Sequence, residues 1–202
     1  TDQDGPYCIS YALATLIVLT SKRIIGREKL NFEEVKEHLK REFKDAKKFS
    51  QQVECIKTKI MPYYKLGFTP VHEEDLNLFN PYGSYMFHLF CFWISDTKWK
   101  RFSIHFNDPN SKEKYLTSEI LGEDNPDESE GGHAVVIIDA DTVKYTLLNS
   151  WGKNWAIQGK CMIKRDAFKN SRGKPVLYNV HFKENELPDE FKLCYTKRKE
   201  EA

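Results

Sequence analysis

The spacing of apolar positions changes once along the chain, near residue 70, and predicts a helical first part followed by a strand-rich second part. Ile9, Ala12, Leu13, Leu16 and Ile17 recur at i, i+3, i+4, i+7 and i+8, the stripe of a helix packed on one face. Pro6 stands just ahead of that stripe. Proline is tolerated in a first helical turn because its missing N–H would have no intrahelical partner there, so the pattern puts Cys8 at or near the helix N-terminus. Asn31 predicts the start of a second helix, with Glu34 three residues on as in a capping box. Phe32, Val35, Leu39 and Phe43 form its stripe, and residues 51–60 predict a third, shorter helix.

Beyond Pro70 the expected elements are strands. Residues 85–94 and 99–106 are rich in aromatics, and 134–139 and 144–148 read as two strands joined by a turn around Ala140 and Asp141. Residues 161–164 and 176–182 complete the set. An acidic loop, 123–130, precedes Gly131. No internal repeat or low-complexity segment interrupts the chain. The expected organisation is one domain over 1–202, with a helical lobe to about residue 70, a β-rich lobe over about 71–185 and a charged tail over about 186–202. A binding site is expected in the cleft between the lobes.

Composition narrows the function more than the fold. The 202 residues carry 31 basic and 30 acidic side chains, a net charge of +1, so no whole-molecule field draws in nucleic acid or a membrane. No apolar run reaches the ~18 residues of a membrane-spanning helix. Five scattered cysteines without a CxxC pair predict neither a zinc site nor a disulfide framework, and no cofactor is implied. With no glycosylation acceptor, the balance leans towards an intracellular, reducing location, lysosomal or secreted ones staying open. The first residue is Thr1, so the chain is expected to have been cut from something longer.

The candidate chemistry starts at Cys8. A thiol at a helix N-terminus feels the positive end of the dipole, which favours thiolate. Such a nucleophile needs a base, and the base needs a third group to hold its tautomer. Of six histidines, His38 is expected to be solvated on its charged helix, and His72, His88, His105 and His181 read as ordinary strand or loop residues. His133 differs: Gly131-Gly132 before it permit close backbone approach, and the apolar run from Ala134 to Ile138 would hold it rigidly at a strand end. The predicted hairpin brings Asn149 beside His133, where its carbonyl can accept the imidazole N–H, with Trp151 placed to shield that bond. By themselves, Asn149 reads equally as a turn residue and Trp151 as a core residue.

These residues resemble a known family. Asn149-Ser150-Trp151-Gly152-Lys153-Asn154-Trp155-Ala156-Ile157-Gln158-Gly159 is similar to the NSWGxxWGxxG segment of papain-like cysteine peptidases, and Gly131-Gly132-His133-Ala134-Val135 to their histidine motif. His133 and Asn149 are 16 residues apart, as in that family; Asn149 lies 141 residues after Cys8 and His133 lies 125 after it, against about 130–150 in papain and the cathepsins. Ile9 follows Cys8 where the family has an aromatic residue, Gly5 stands where many members carry a disulfide cysteine, and Ala156 replaces the second motif glycine.

The resemblance implies an α+β, two-lobed papain-like fold, with an antiparallel barrel-like β lobe and the active site in the cleft. It implies Cys8 as nucleophile, His133 as base and then acid, and Asn149 as the group orienting His133. The family's oxyanion glutamine lies six residues before the cysteine, where this chain has Asp2. A carboxylate cannot donate to an oxyanion, so Gln3 is the candidate, with one residue deleted between it and Cys8. The implied partner is a peptide or protein substrate. An isopeptidase acting on conjugates of a ubiquitin-like protein uses the same chemistry, and the acidic loop is a candidate surface for a basic partner. A catalytically silent papain fold serving as a binding module is the third reading; oligomeric state is left open.

Overall fold

The structure is a computed structural model and describes residues 7–22, 29–72, 87–111, 113–123 and 127–182. The first helix, α1, runs Cys8–Ser21. It is buried well beyond the predicted stripe, with Ser10, Tyr11, Ala14, Val18 and Thr20 also enclosed. The reason is its central place: α2 (Phe32–Glu42) packs on one side and strands on the other. Asn31 caps α2, its Oδ1 accepting from the N–H of Glu33 at 2.9 Å, an arrangement worth about 1 kcal/mol. Val35, Leu39 and Phe43 point from it into the core shared with α1.

The third predicted helix is interrupted. Phe49–Cys55 is α-helical (α3), Ile56–Ile60 widens into a π turn, and Met61–Tyr63 resumes as α4. Pro62 has no N–H for the regular bond to Thr58, and its ring would crowd that carbonyl, so the backbone widens just ahead of it. Lys65 then ends the run with a left-handed φ of 51°.

Among the described residues six strands follow: β1 (Leu66–Val71), β2 (His88–Ser95), β3 (Glu130–Ala140), β4 (Lys144–Leu148), β5 (Lys160–Lys164) and β6 (Val176–Phe182). They form one antiparallel sheet in the order β1-β6-β2-β3-β4-β5. The sheet is open, with β1 and β5 at its two edges, which corrects the barrel-like closure expected from the sequence. Its apolar pattern explains why. In β2, Leu89 and Cys91 belong to the core around α1, whereas Phe90, Phe92 and Ile94 belong to a second core on the opposite face. A barrel has one interior; this sheet is covered on both sides, as a near-continuous apolar strand requires. β1 also lies before the expected lobe boundary, and joins the sheet by pairing with β6.

Residues 99–106 correct another expectation. They lie in a helix, α5 (Asp96–Asn107), rather than a strand. Ser95 caps it by accepting from Lys98 N–H, and Asp96 complements the dipole in the first turn. Trp99, Phe102 and Phe106 fall at i, i+3 and i+7, a helical stripe masked by their aromatic character. A one-turn helix, α6 (Ser118–Leu121), precedes β3.

Candidate functional site

β3 and β4 form the hairpin that carries His133 and Asn149. Asp141 shapes its turn, its Oδ1 accepting from Val143 N–H at 2.7 Å and Lys144 N–H at 2.8 Å. Pairing runs back to Val136 opposite Leu148, so Asn149 emerges at the end of β4 on the side of His133. The backbone N–H of Asn149 is held by Gly159 O at 2.9 Å. His133 Nε2 lies 2.9 Å from Asn149 Oδ1, and both residues are buried.

The tautomer follows from the amide. Asn149 Oδ1 also accepts the N–H of Ser150 at 2.8 Å, so this atom is the carbonyl oxygen and His133 Nε2 carries the proton. Nδ1 is then the basic nitrogen of the ring. Burial lowers the pKa of His133 to about 4; the hydrogen bond to Asn149 opposes that shift without cancelling it.

Three aromatic rings surround the imidazole. Trp151 lies 5.1 Å away centroid to centroid. Phe92, the cross-strand partner of His133 in β2, stands edge-on at 5.7 Å. Trp99 from α5 stands edge-on at 5.4 Å. Sequence reasoning missed Trp99 because the helix that carries it was read as a strand.

The two glycines before His133 each accommodate an indole. A Cβ on Gly131 would stand 2.7 Å from Trp99 Nε1, and one on Gly132 would stand 2.7 Å from Trp93 Nε1. The close approach expected of this pair is therefore to tryptophans, on opposite faces of β3.

Cys8 opens α1. The backbone N–H of Ala134, the residue after His133 in β3, acts on the Cys8 sulfur. Burial raises the thiol's pKa, while the backbone N–H groups of Ala134, Ile9 and Cys8 itself pull it down. Those of Cys8 and Ile9 are first-turn amides with no intrahelical partner. Cys8 is half-buried, whereas Cys55, Cys91 and Cys161 are buried. A cavity of about 230 Å3 opens a turn further along α1, lined among others by Tyr11, Ala12, Thr15, Ala134 and Asn149.

Gln3 lies outside the described residues, as does the 2–6 stretch leading to Cys8. His38 is not solvated as expected: it is half-buried, with Nδ1 2.8 Å from Tyr64 Oη. Three described carboxylates of the acidic loop are engaged within the molecule. Glu128 accepts from the N–H of Thr97 at 2.9 Å, Arg172 lies 3.6 Å from Glu130, and Glu123 accepts from Asn170 at 2.7 Å. Among the described residues no group of three or more His, Cys, Asp or Glu side chains is arranged to hold a metal ion, and no helix is long and apolar enough to cross a membrane.

No family model matches the chain, and no curated protein matches it. Solved structures resemble it. One, from work on the mite allergens Blo t 1 and Der p 1, aligns with a TM-score of 0.50 at 14% identity, covering 89% of this chain and 66% of that one. The chain thus spans slightly under two thirds of that protein's length. Another is xylellain, a cysteine protease from Xylella fastidiosa, with a TM-score of 0.45 and 14% identity over 88% of this chain and 80% of that one. At this identity the likeness is one of fold: an α+β, papain-like architecture with an open sheet.

Proposed function

We propose that the chain is a cysteine-type peptidase in which Cys8 is the nucleophile, His133 the base and acid, and Asn149 the group that orients His133. One observation carries the reading. The hydrogen bond to Asn149 occupies Nε2 of His133 and leaves Nδ1 as the basic nitrogen, and the N–H of the next residue, Ala134, is among the backbone groups that act on the Cys8 sulfur.

Burial favours a neutral thiol beside a neutral imidazole, so the proton moves as attack occurs. The Cys8 S–H proton passes to His133 Nδ1 while sulfur bonds to the substrate carbonyl carbon, and that oxygen becomes an oxyanion. The N–H of Cys8, a first-turn amide, is the donor available to it. Gln3 is the proposed second donor. Imidazolium His133 then protonates the leaving amine as the C–N bond breaks, leaving a thioester. His133 next takes a proton from water as it attacks the thioester, and returns that proton to the Cys8 sulfur as the C–S bond breaks, which releases the acid and restores the thiol. Trp151 and its neighbouring rings keep water away from the His133–Asn149 bond throughout.

The internal use of Glu123, Glu128 and Glu130 supports hydrolysis of peptide chains over recognition of a basic surface by the acidic loop. Fluorogenic peptides and a ubiquitin-type conjugate, offered side by side, test this. Peptide cleavage that is abolished by Cys8→Ser is expected. Cleavage of the conjugate alone would replace the reading with the isopeptidase one, and cleavage of neither would favour the binding module.

A further inference from the structure

We propose that Trp99 is a positioning residue for His133, holding the imidazole where its Nε2 meets Asn149; this rests on the Cys8–His133 reading above. The three rings around His133 have different origins. Phe92 is its partner in the sheet, and Trp151 belongs to the same turn as Asn149, so both belong to the sheet and its hairpin. Trp99 alone comes from a separate element, α5.

Its seat is specific. The indole Nε1–H donates to Gly131 O at 3.3 Å, two residues before the imidazole, and only a residue without a Cβ leaves room for it at position 131. The ring then stands at 83° to the imidazole and contacts Trp151 at 6.0 Å and Phe102 at 5.4 Å. The first turn of α5 is braced on both flanks. Lys98, almost wholly buried, donates to Asn170 O at 2.9 Å and Ser171 Oγ at 3.2 Å. Thr97 donates its N–H to Glu128. With both neighbours tied, Trp99 has little freedom to follow an imidazole that swings away from Asn149. A wall that does not yield returns the ring to one orientation, and an ångström of misplacement at such a group costs about a hundredfold in rate.

A plain core role would alter stability alone, so the test reads the chemistry. The rate of Cys8 alkylation by iodoacetamide is followed against pH in the native chain and in Trp99→Ala, Trp99→Phe, Gly131→Ala and His133→Ala. Trp99→Ala is expected to slow alkylation about tenfold at neutral pH and to move the acid limb upward, as water reaches the imidazole. Trp99→Phe, which keeps a ring, recovers most of the rate. Gly131→Ala, which displaces the indole without removing it, reproduces Trp99→Ala and carries the test if that variant does not fold. Folded Trp99→Ala or Gly131→Ala protein with the native rate and profile overturns the inference. If His133→Ala also keeps the native rate, the Cys8–His133 pairing itself fails; if only His133→Ala slows the reaction, the pairing stands and the role of Trp99 is lost.

Discussion

Asn149 Oδ1 sits 2.9 Å from His133 Nε2 while accepting the N–H of its own neighbour, Ser150. The second bond gives the first its direction, because an amide turned the other way would set N–H against N–H. Asn149→Ala removes both. Peptide hydrolysis is expected to fall about a hundredfold, chiefly in kcat, since the lost bond sets the orientation of His133. Asn149→Asp keeps an acceptor but adds charge, which stabilises imidazolium. Its pH–rate profile should therefore shift its acid limb upward, and an unshifted limb would argue against contact between these groups.

Acid should weaken the fold through two histidines. Burial lowers both His88 and His133 to about 4. Each is held neutral in the folded chain and takes a proton on unfolding once the pH drops below the ordinary value of about 6.5. The stability they supply is thus fully present above 6.5, lost as pH falls, and exhausted near 4. The slope is at most about 1.4 kcal/mol per pH unit for each. Urea midpoints measured from pH 7 to pH 4 should decline over this window, and His88→Gln should flatten the decline.

Gly132→Ala sets a methyl group 2.7 Å from Trp93 Nε1. Trp93 is itself wedged edge-on against Phe49 at 5.0 Å, so the indole cannot simply withdraw. A loss of about 1–3 kcal/mol is expected from the overpacking, measured by chemical denaturation.

The sequence made the His133–Asn149 hairpin legible because apolar runs on either side of Asp141 can pair in few ways, and the turn chemistry of Asp141 agrees with them. The helices α1 and α2 were legible for the same reason: periodicity and capping coincide. Trp99 was hidden because aromatic side chains signal strands, and the helical spacing of Trp99, Phe102 and Phe106 stands out only once Ser95 is seen to cap α5. Closure of the sheet could not be read, since the two-sided burial of β2 depends on what α5 covers. The strand β1 lay within a stretch assigned to the helical lobe, and only its pairing with β6 reveals it.

Ala156 shows a consequence that spacing alone did not suggest. Its φ is +48°, a left-handed conformation that costs a residue with a Cβ about 1–2 kcal/mol. Ala156→Gly relieves that cost and adds unfolded-chain entropy of about 0.4–1 kcal/mol. The net expectation is a stability unchanged or raised by up to about 1.6 kcal/mol, read as the melting temperature.

The central claim is that acyl transfer passes through Cys8, and intact-mass spectrometry of the chain mixed with an activated peptide ester tests it most directly. The account predicts a transient adduct of one acyl group, mapped to Cys8, absent in Cys8→Ser and formed more slowly in His133→Ala. Ester or peptide turnover that persists in Cys8→Ser, or an acyl group found on another residue, would contradict it.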